Sequence, residues 1–466
     1  MKNKLKTISF FWPVAVWGVL LCLATSCDNF VGVEQPNSQL TGTAVFENNT
    51  TATAAMKDIY AKMRDNGLLT GKSVGLSNLL GQYTDELVCY QTGVTTAEPF
   101  YNNSVTATNG YVQQLWNSTY NQIYATNAVI EGVTASTGMT TAQKNQLIGE
   151  ALFVRALLHS YLAGVYGGCP YITTTDYVQN STVHRLTTVA VYNECIADLE
   201  ESATLLPESY ISYERIRPNQ YAARALLARL YLYTGQWAQA SNEASAVLNQ
   251  TAMYVWEPDL DKVFLKECTS TIWQFSASGG YANAQEGALF VFNAGPPPTV
   301  ALSQYLYNSF ATNDQRRNHW IRSITDGTTT WYQPYKYQQD NSSTTTTSYS
   351  VMLRLAEQYL IRAEARAQQG DLIGAKQDLD FVRNNAGLGG TTATTSTAII
   401  TAVMEERRFE FFTELGMRFF DLQRTGALDA TLTPVKPGWN TTDGLWPVPQ
   451  SELLINPNLA PQNAGY

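Results

Sequence analysis

A mostly α-helical fold, a tetratricopeptide-like helical-repeat scaffold carrying a loop-rich, partly β insertion, is what three features of this chain predict. The first is internal repetition. Pro218 to Gln250 and Leu353 to Asn385 align at a constant offset of 135, which matches Ala228 with Ala363, Gly235 with Gly370 and Ala240 with Ala375. Each copy reads as helix, Gly-centred turn, helix, over a period near the ~34 residues of tetratricopeptide units. Small residues at the matched places let two antiparallel helices approach closely. The second feature is helical spacing of apolar residues in several earlier stretches, which brings the count to about four helix pairs. One pair cannot bury its own apolar face, so the pairs must stack. The third is a change of chemistry between the two copies. Val255 to Ser350 is rich in Gly, Thr, Ser and Asn and lacks a sustained helical period.

Taken in order, the chain begins with Lys2, Lys4 and Lys6, an apolar run from Ile8 to Leu23, and then Ala24-Thr25-Ser26-Cys27. A basic start, a short apolar core and a small-residue site read as a secretory signal peptide over residues 1–26. Small residues directly before a cysteine resemble a lipobox, in which Cys27 is diacylated and becomes the mature N-terminus. An uncleaved membrane anchor is the alternative, since the apolar run is nearly long enough to span a bilayer. Polar Asp28 and Asn29 favour cleavage. Residues 27–43 then form a lipidated tether.

Loss of residues 1–26 removes three lysines and no acid, which moves the formal charge from −9 to −12. An acidic body without a Lys/Arg run argues against nucleic acid or anionic lipid as a partner. Cys89, Cys169, Cys195 and Cys268 are widely spaced, with no CxxC, and read as small buried apolar residues rather than a disulfide framework.

The helical part spans 44–254. Ala44 to Leu69 is amphipathic, with Met56, Ile59, Tyr60 and Met63 on one face. Gln114 to Ile130 restores the period through Trp116, Tyr120, Ile123 and Asn127, with Trp116 read as core. Asn145 to Tyr166 ends at Gly167-Gly168 and is stopped by Pro170; His159 falls on its apolar face as a packed histidine. Thr188 to Leu206 carries the stripe Tyr192, Ile196, Leu199.

The insertion, 255–350, reads differently. Ser270 to Gly295 alternates and contains glycines, which suits short strands and loops better than helix. A short helix at Ser303 to Phe310 follows, and Gln338 to Ser348 is a polar surface loop. Residues 351–466 return to helix and end in a Pro- and Asn-rich tail.

Within that last part, Met404 to Gly426 interleaves Phe409, Phe411, Phe412, Phe419 and Phe420 with Glu405, Glu406, Arg407, Arg408, Glu410, Glu414 and Arg418. Two short helices meeting near Gly416 fit the pattern. The spacings Glu405/Arg408, Arg407/Glu410 and Glu414/Arg418 suggest pairs along the helices. A solvent-washed charged face is one reading. Aromatic density this high favours burial, and buried charges must be paired.

This stretch resembles a hallmark of the SusD/RagB family of outer-membrane nutrient-binding lipoproteins, whose members carry a motif like ERRxEL…GxRFFDLxRxG. Met417 stands where members often have His, a change that touches packing. The tail Trp446-Pro447-Val448-Pro449-Gln450-Ser451-Glu452, then Asn456-Pro457-Asn458-Leu459 and Gln462-Asn463-Ala464-Gly465-Tyr466, is similar to the family's PIPQSEI…NPxLxQNPGY. Residues 155–172 are similar to its RA…YGGxPLI element. The resemblance implies a helical scaffold with a loop-rich ligand subdomain, exposure on the cell surface, and a role as a lid over a SusC-like TonB-dependent transporter. It also implies capture of an oligosaccharide or polysaccharide, no enzymatic activity and no cofactor. A peptide- or protein-binding surface lipoprotein is the alternative.

An enzyme is a poor fit on residues alone. The chain has three histidines, no HExxH, no Walker A and no GxGxxG. Carbohydrate binding asks for less: aromatic rings to stack on apolar sugar faces, and Asn, Asp or Arg to meet hydroxyls, all on loops held by a rigid scaffold. The candidates are Tyr90, Phe100, Tyr101 and Asn102 in the first irregular segment, and Tyr281, Phe290, Trp320, Trp331 and Tyr332 in the second.

Overall fold

Asn48 begins the first long helix by accepting the Thr50 amide on its side chain, a standard way to satisfy a free helix-start donor. Helix α1 (Asn49–Asp65) buries Ala52, Met56, Ile59, Tyr60 and Met63, the face its periodicity predicts. The computed structural model describes residues 42–466 apart from 92, 94–96, 279 and 341, so the leader, Cys27 and most of the tether lie outside the described residues.

Helix α2 (Leu76–Tyr83) is buried throughout and leads into β1 (Leu87–Cys89) and the single turn α3 (Glu98–Tyr101). Helix α4 (Gly110–Ala135) packs on α5 (Thr141–Tyr166), whose start is closed by a reciprocal Thr140–Gln143 capping box. α5 is the central helix. It is long and apolar enough to cross a membrane by composition, yet 94% of its apolar window is buried inside the protein. Gly167, at φ +74°, ends it as the sequence predicts.

A short helix, α6 (Tyr177–Asn180), precedes α7 (Thr188–Leu205), which covers the far side of α5. The two repeat copies follow as α8 (Gln220–Tyr233) with α9 (Trp237–Leu248), and, after the insertion, α12 (Leu355–Gln368) with α13 (Leu372–Asn385). Ala228, Ala240, Ala363 and Ala375 are all fully buried where the paired helices touch. Gly235 and Gly370 both take positive φ in the connecting turns. The copies pack on each other directly, and Arg229 of α8 reaches Glu357 of α12 at 2.6 Å inside the core. A mostly helical, tetratricopeptide-like scaffold is therefore present, although its two best-matched units are adjacent in space and not in sequence.

Within the insertion, β2 (Thr271–Phe275) is followed by the short helix α10 (Gln285–Phe290), then β3 (Val300–Leu302), α11 (Gln304–Ser309), β4 (Ile321–Thr325), β5 (Thr330–Pro334) and β6 (Ser350–Arg354). The helix at 285–290 departs from the expected strands and loops. Six residues are too few for a period to register. β2 and β6 pair antiparallel beneath the start of α12. The other strands form an antiparallel sheet in the order β1-β3-β5-β4, so a strand from the first irregular segment is hydrogen-bonded to the second segment, with Leu87 opposite Leu302 and Cys89 opposite Val300.

The charged, Phe-rich stretch forms α14 (Ser396–Glu410) and α15 (Met417–Arg424), joined by a turn in which Thr413, Leu415 and Gly416 all have positive φ. A Cβ on Gly416 would lie 2.3 Å from Leu80, so only glycine lets this turn seat on α2. The charges are buried and paired, but not with the neighbours their spacing suggested. Arg407 binds Asp421 at 2.7 Å, Arg408 and Arg418 share Asp85 at 3.1 and 3.0 Å, and Glu405 is exposed. Glu410 lies between Arg316 and Arg354 at 2.8 and 2.5 Å, and Glu414 between Arg354 and Lys336 at 2.8 and 2.5 Å. Arg316, Lys336 and Arg354 all come from the insertion or its edge. The knot is thus the place where the β-rich segment is bolted to the helical scaffold.

The tail closes the other side. After α16 (Gln450–Ile455), Asn463 donates to the carbonyls of Tyr166 and Trp446, both at 2.7 Å. Trp446 is fully buried among Tyr83, Phe100 and Tyr166.

Candidate functional site

β5 decides which predicted rings can act together. Successive side chains of a strand point to opposite faces. Trp331 accordingly joins Phe292 and Ala301 on one face, with Tyr90 and Ile324 packed against them. Tyr332 turns to the other face and stacks on Tyr307 at 3.6 Å between ring centroids, 15° from parallel, under the Arg317 guanidinium at 4.3 Å. Strand alternation therefore puts the two candidates Trp331 and Tyr332 on opposite faces of the sheet.

The Trp331 face holds the candidate site. Tyr90 is fixed beside β3 by its amide, which donates to the Thr299 carbonyl at 2.8 Å. A Cβ on Gly295 would fall 1.9 Å from the Trp331 ring, so the backbone lies flat against that indole and leaves 8% of the residue exposed. Tyr101 stands at the end of α3, half-buried, and its ring covers the Lys436 ammonium at 4.1 Å from the centroid. Lys436 also donates to the carbonyls of Gln82 at 2.7 Å and Tyr101 at 2.5 Å. Asn102 is exposed, and its carbonyl is approached so closely by Gly438 that a Cβ there would sit 2.0 Å away. Lys436 and Gly438 together hold the Tyr101–Asn102 corner in place.

The electrostatics follow from partial burial. Burial raises the Tyr90 and Tyr101 hydroxyls and the Cys89 thiol above their usual values, so all three stay neutral near pH 7. Burial pushes Lys436 down to about 8, with Asp85 and Cys89 acting against the fall. The surface offers the half-buried Tyr90 and Tyr101 rings, their hydroxyls and the Asn102 amide over a buried Trp331, and the Lys436 ammonium is spent on carbonyls. Such a set can stack on a flat apolar face and hydrogen-bond hydroxyls; it has no nucleophile with a base beside it.

Three of the named rings do not reach solvent. Phe100 is fully buried against Tyr83 and Trp446, with ring centroids 6.4 and 4.7 Å away. Trp320 is 1% exposed, packs on Phe264 and donates its indole N–H to the Leu260 carbonyl at 2.9 Å. Phe290 is buried in the same cluster as Trp320. Their role in this structure is packing, because an apolar ring on a short element beneath a sheet gains more from burial than from exposure. Tyr281 lies apart, with the Lys72 ammonium 5.9 Å from its ring. Sequence reasoning missed Phe292 and Lys436. A lone lysine between two prolines in Thr433-Pro434-Val435-Lys436-Pro437 was the one available hint of the second.

His159 is the buried, neutral histidine its position suggested. Its Nε2 accepts from the Ile172 amide at 3.0 Å, its Nδ1 lies 2.9 Å from the Arg155 carbonyl, and burial lowers its pKa to about 3.

Comparison with known proteins places this arrangement. Residues 33–232 match a family model described as starch-binding associating with outer membrane, and residues 307–466 match the model of the SusD family. Together these cover well over half of the chain. The chain belongs to the SusD/RagB family. Its general location is accordingly association with the outer membrane. A SusD-like protein of Formosa agariphila, P2, is 26% identical over 519 residues, covering 96% of this chain and 98% of the relative. Among solved structures, a SusD superfamily protein from Bacteroides vulgatus superposes with a TM-score of 0.78 at 20% identity, over 90% of this chain and all of that one. A laminarin-binding SusD-like protein gives 0.77 at 23% identity, over 90% and 100%. Surface glycan-binding protein A from Bacteroides thetaiotaomicron gives 0.75 at 19%, again over 90% and 100%. At these identities the structural likeness establishes the fold.

Proposed function

We propose that this SusD/RagB member is a cell-surface lipoprotein that binds a neutral oligosaccharide or polysaccharide and passes it to a SusC-like TonB-dependent transporter. The observation that carries the reading is that Tyr90 and Trp331, from two segments far apart in sequence, pack together at one face of the β1-β3-β5-β4 sheet, with the Tyr101–Asn102 corner held beside β1. Family membership and the glycan-binding neighbours support carbohydrate as the ligand. In this reading residues 1–26 are the signal peptide, Cys27 carries the lipid, and 27–43 are the tether. The helical parts 44–254 and 351–466 support the insertion 255–350, and the protein is a binding protein with no catalytic role.

Each stacked ring contributes about 1 kcal/mol, so two or three rings with hydrogen bonds give roughly micromolar affinity after ordering costs. Weak capture suits hand-over to a channel. Calorimetry of the mature protein against laminarin, soluble starch and other neutral glycans tests the site, with the double variant Tyr101→Ala/Trp331→Ala beside the parent. Binding by the parent and a loss of tenfold or more in the variant is expected. Equal affinity of parent and variant sinks this placement of the site, and binding of a peptide digest in place of every glycan sinks the glycan reading. For the anchor, Cys27→Ala is expected to leave the detergent-extracted outer-membrane fraction; unchanged partitioning would refute lipidation there.

A further inference from the structure

A second concavity lies away from the sheet, between α4, α6 and α16, with a cavity of about 430 Å³. Its long wall is one stripe of α4. Trp116, Tyr120 and Tyr124 recur every fourth residue and therefore lie along one face of the helix, with the Trp116 and Tyr120 ring centroids 4.9 Å apart and their planes tilted by 49°. Trp116 is buried at the base, Tyr120 is half-buried with its hydroxyl donating to the Pro170 carbonyl at 2.9 Å, and Tyr124 is 52% exposed at the open end. Asn117 and Asn121 sit one residue on from two of these rings, also line the cavity, and make no side-chain hydrogen bond among the described residues. Across from them Glu452 of α16 is half-buried with no cation paired to it among the described residues, and burial raises its pKa.

A ladder of rings edged by uncommitted amides, with a lone carboxylate facing it, has donors and acceptors to offer and no positive charge. That lining repels an anion, gives a cation only one partner, and suits a chain that alternates apolar faces with hydroxyls. The hydroxyls can donate to Glu452 and exchange hydrogen bonds with both amides. We propose that this groove is a second glycan-contact site, taking a stretch of neutral polysaccharide along the Trp116–Tyr120–Tyr124 face. The inference rests on the glycan reading of the sheet-face site.

Position makes the two sites useful together. α16 is docked to the start of α4, where Gln113 donates to the Ser451 hydroxyl at 3.0 Å and the Gln450 amide to the Ala107 carbonyl at 2.9 Å. Tyr111, in the first turn of α4, packs against Phe100, the residue before Tyr101, and Tyr124 lies about 20 Å farther along the helix. A short oligosaccharide engages one site; a polymer has the length to engage both, with the gain in avidity that a tethered second contact brings.

The test is calorimetry of the mature protein with laminarin and with its short oligosaccharides, for the parent, the groove variant Asn121→Ala/Tyr124→Ala and the sheet-face variant Tyr101→Ala/Trp331→Ala. Both groove positions are exposed, so the fold tolerates the change, and thermal melts check this. The groove variant is expected to bind the polymer about five- to tenfold more weakly and short oligosaccharides as the parent does. The sheet-face variant is expected to weaken on both. Parent-like polymer binding by the groove variant overturns the second site and leaves the first intact. Loss of polymer binding in the groove variant alone, with the sheet-face variant unaffected, supports the groove and overturns the sheet-face site. A groove variant that keeps its polymer affinity but loses co-purification with an outer-membrane partner shows a protein-docking face and overturns the inference. A parent that binds no glycan removes both readings.

Discussion

Glu86 is buried with one oxygen unpartnered, while the other accepts the Thr413 amide at 3.2 Å. Burial first, and then its neighbour Asp85, raise its pKa to about 7. A carboxyl raised in the folded state binds its proton more tightly there than in the unfolded chain. The stability it lends is therefore full below about 4.5 and is lost as pH rises to about 7. Glu410 works in the opposite sense. Burial pushes it up, but Arg354 and Arg316 outweigh burial and hold it down at about 2, so its contribution is present above about 4.5 and lost as pH falls towards 2. Glu86→Gln is expected to raise stability at pH 8 by roughly 2 kcal/mol and to flatten the decline between pH 4.5 and 7 in urea melts. An unchanged pH profile would show that Glu86 is ionised at no cost. The knot yields a graded series. Arg408→Ala leaves Asp85 with Arg418, so a loss of about 1–2 kcal/mol is expected, whereas Arg354→Ala takes one of two cations from Glu410 and Glu414 at once, leaving them Arg316 and Lys336, and is expected to cost more, about 3–5. Equal melts for the two variants would contradict the pairing. That these charges are buried was legible from the phenylalanines around them. Their partners were not, because Asp85, Arg316 and Arg354 come from distant elements that no local spacing connects.

Among elements, the helices were the most readable. Helices of 26 residues, as α4 and α5 are, leave a long uninterrupted stretch free of Pro, and the glycines at 235 and 370 sit where the two copies turn. The short pieces were not readable, since α10 has six residues and β1 and β3 have three each. This is also why the candidate site was half-seen. The facing of Trp331 against Tyr332 depends on the register of a strand too short to predict, and the burial of Phe100, Phe290 and Trp320 on helical turns too short to carry a period. The contact between the repeat copies carries its own prediction. Arg229 and Glu357 form a bidentate pair at 2.6 and 2.8 Å, and Arg229 also donates to the Tyr161 hydroxyl at 3.1 Å. Removing one charge leaves the other buried without a partner, whereas replacing both with apolar residues of similar volume does not. Arg229→Met and Glu357→Met singly are each expected to lose about 3–5 kcal/mol, and the double variant far less than the sum. Additive losses in the cycle would mean that the pair is solvated and the copies are held by alanine packing alone.

For the whole molecule the decisive quantity is charge. The chain without its first 26 residues carries a formal −12, and its strongest cations, Arg316, Lys336, Arg354 and Arg407, are consumed inside the knot. Lys436, beneath the candidate site, is likewise committed to two carbonyls and the Tyr101 ring. A polyanion approaching this surface meets net repulsion from the acidic body, which Arg317 and Arg322, paired with no carboxylate among the described residues, offset only locally. Neutral glycans meet none. Affinity for a neutral glycan is therefore expected to stay constant, within about twofold, as salt rises from low to physiological strength, while an anionic glycan of the same backbone binds more weakly at low salt and gains as salt screens the repulsion. Titrations of matched neutral and sulfated polysaccharides at two salt concentrations read this directly. Tighter binding of the sulfated polymer at low salt, declining as salt is added, would place a cationic site on the surface and overturn the neutral-ligand reading at both the sheet face and the α4 groove.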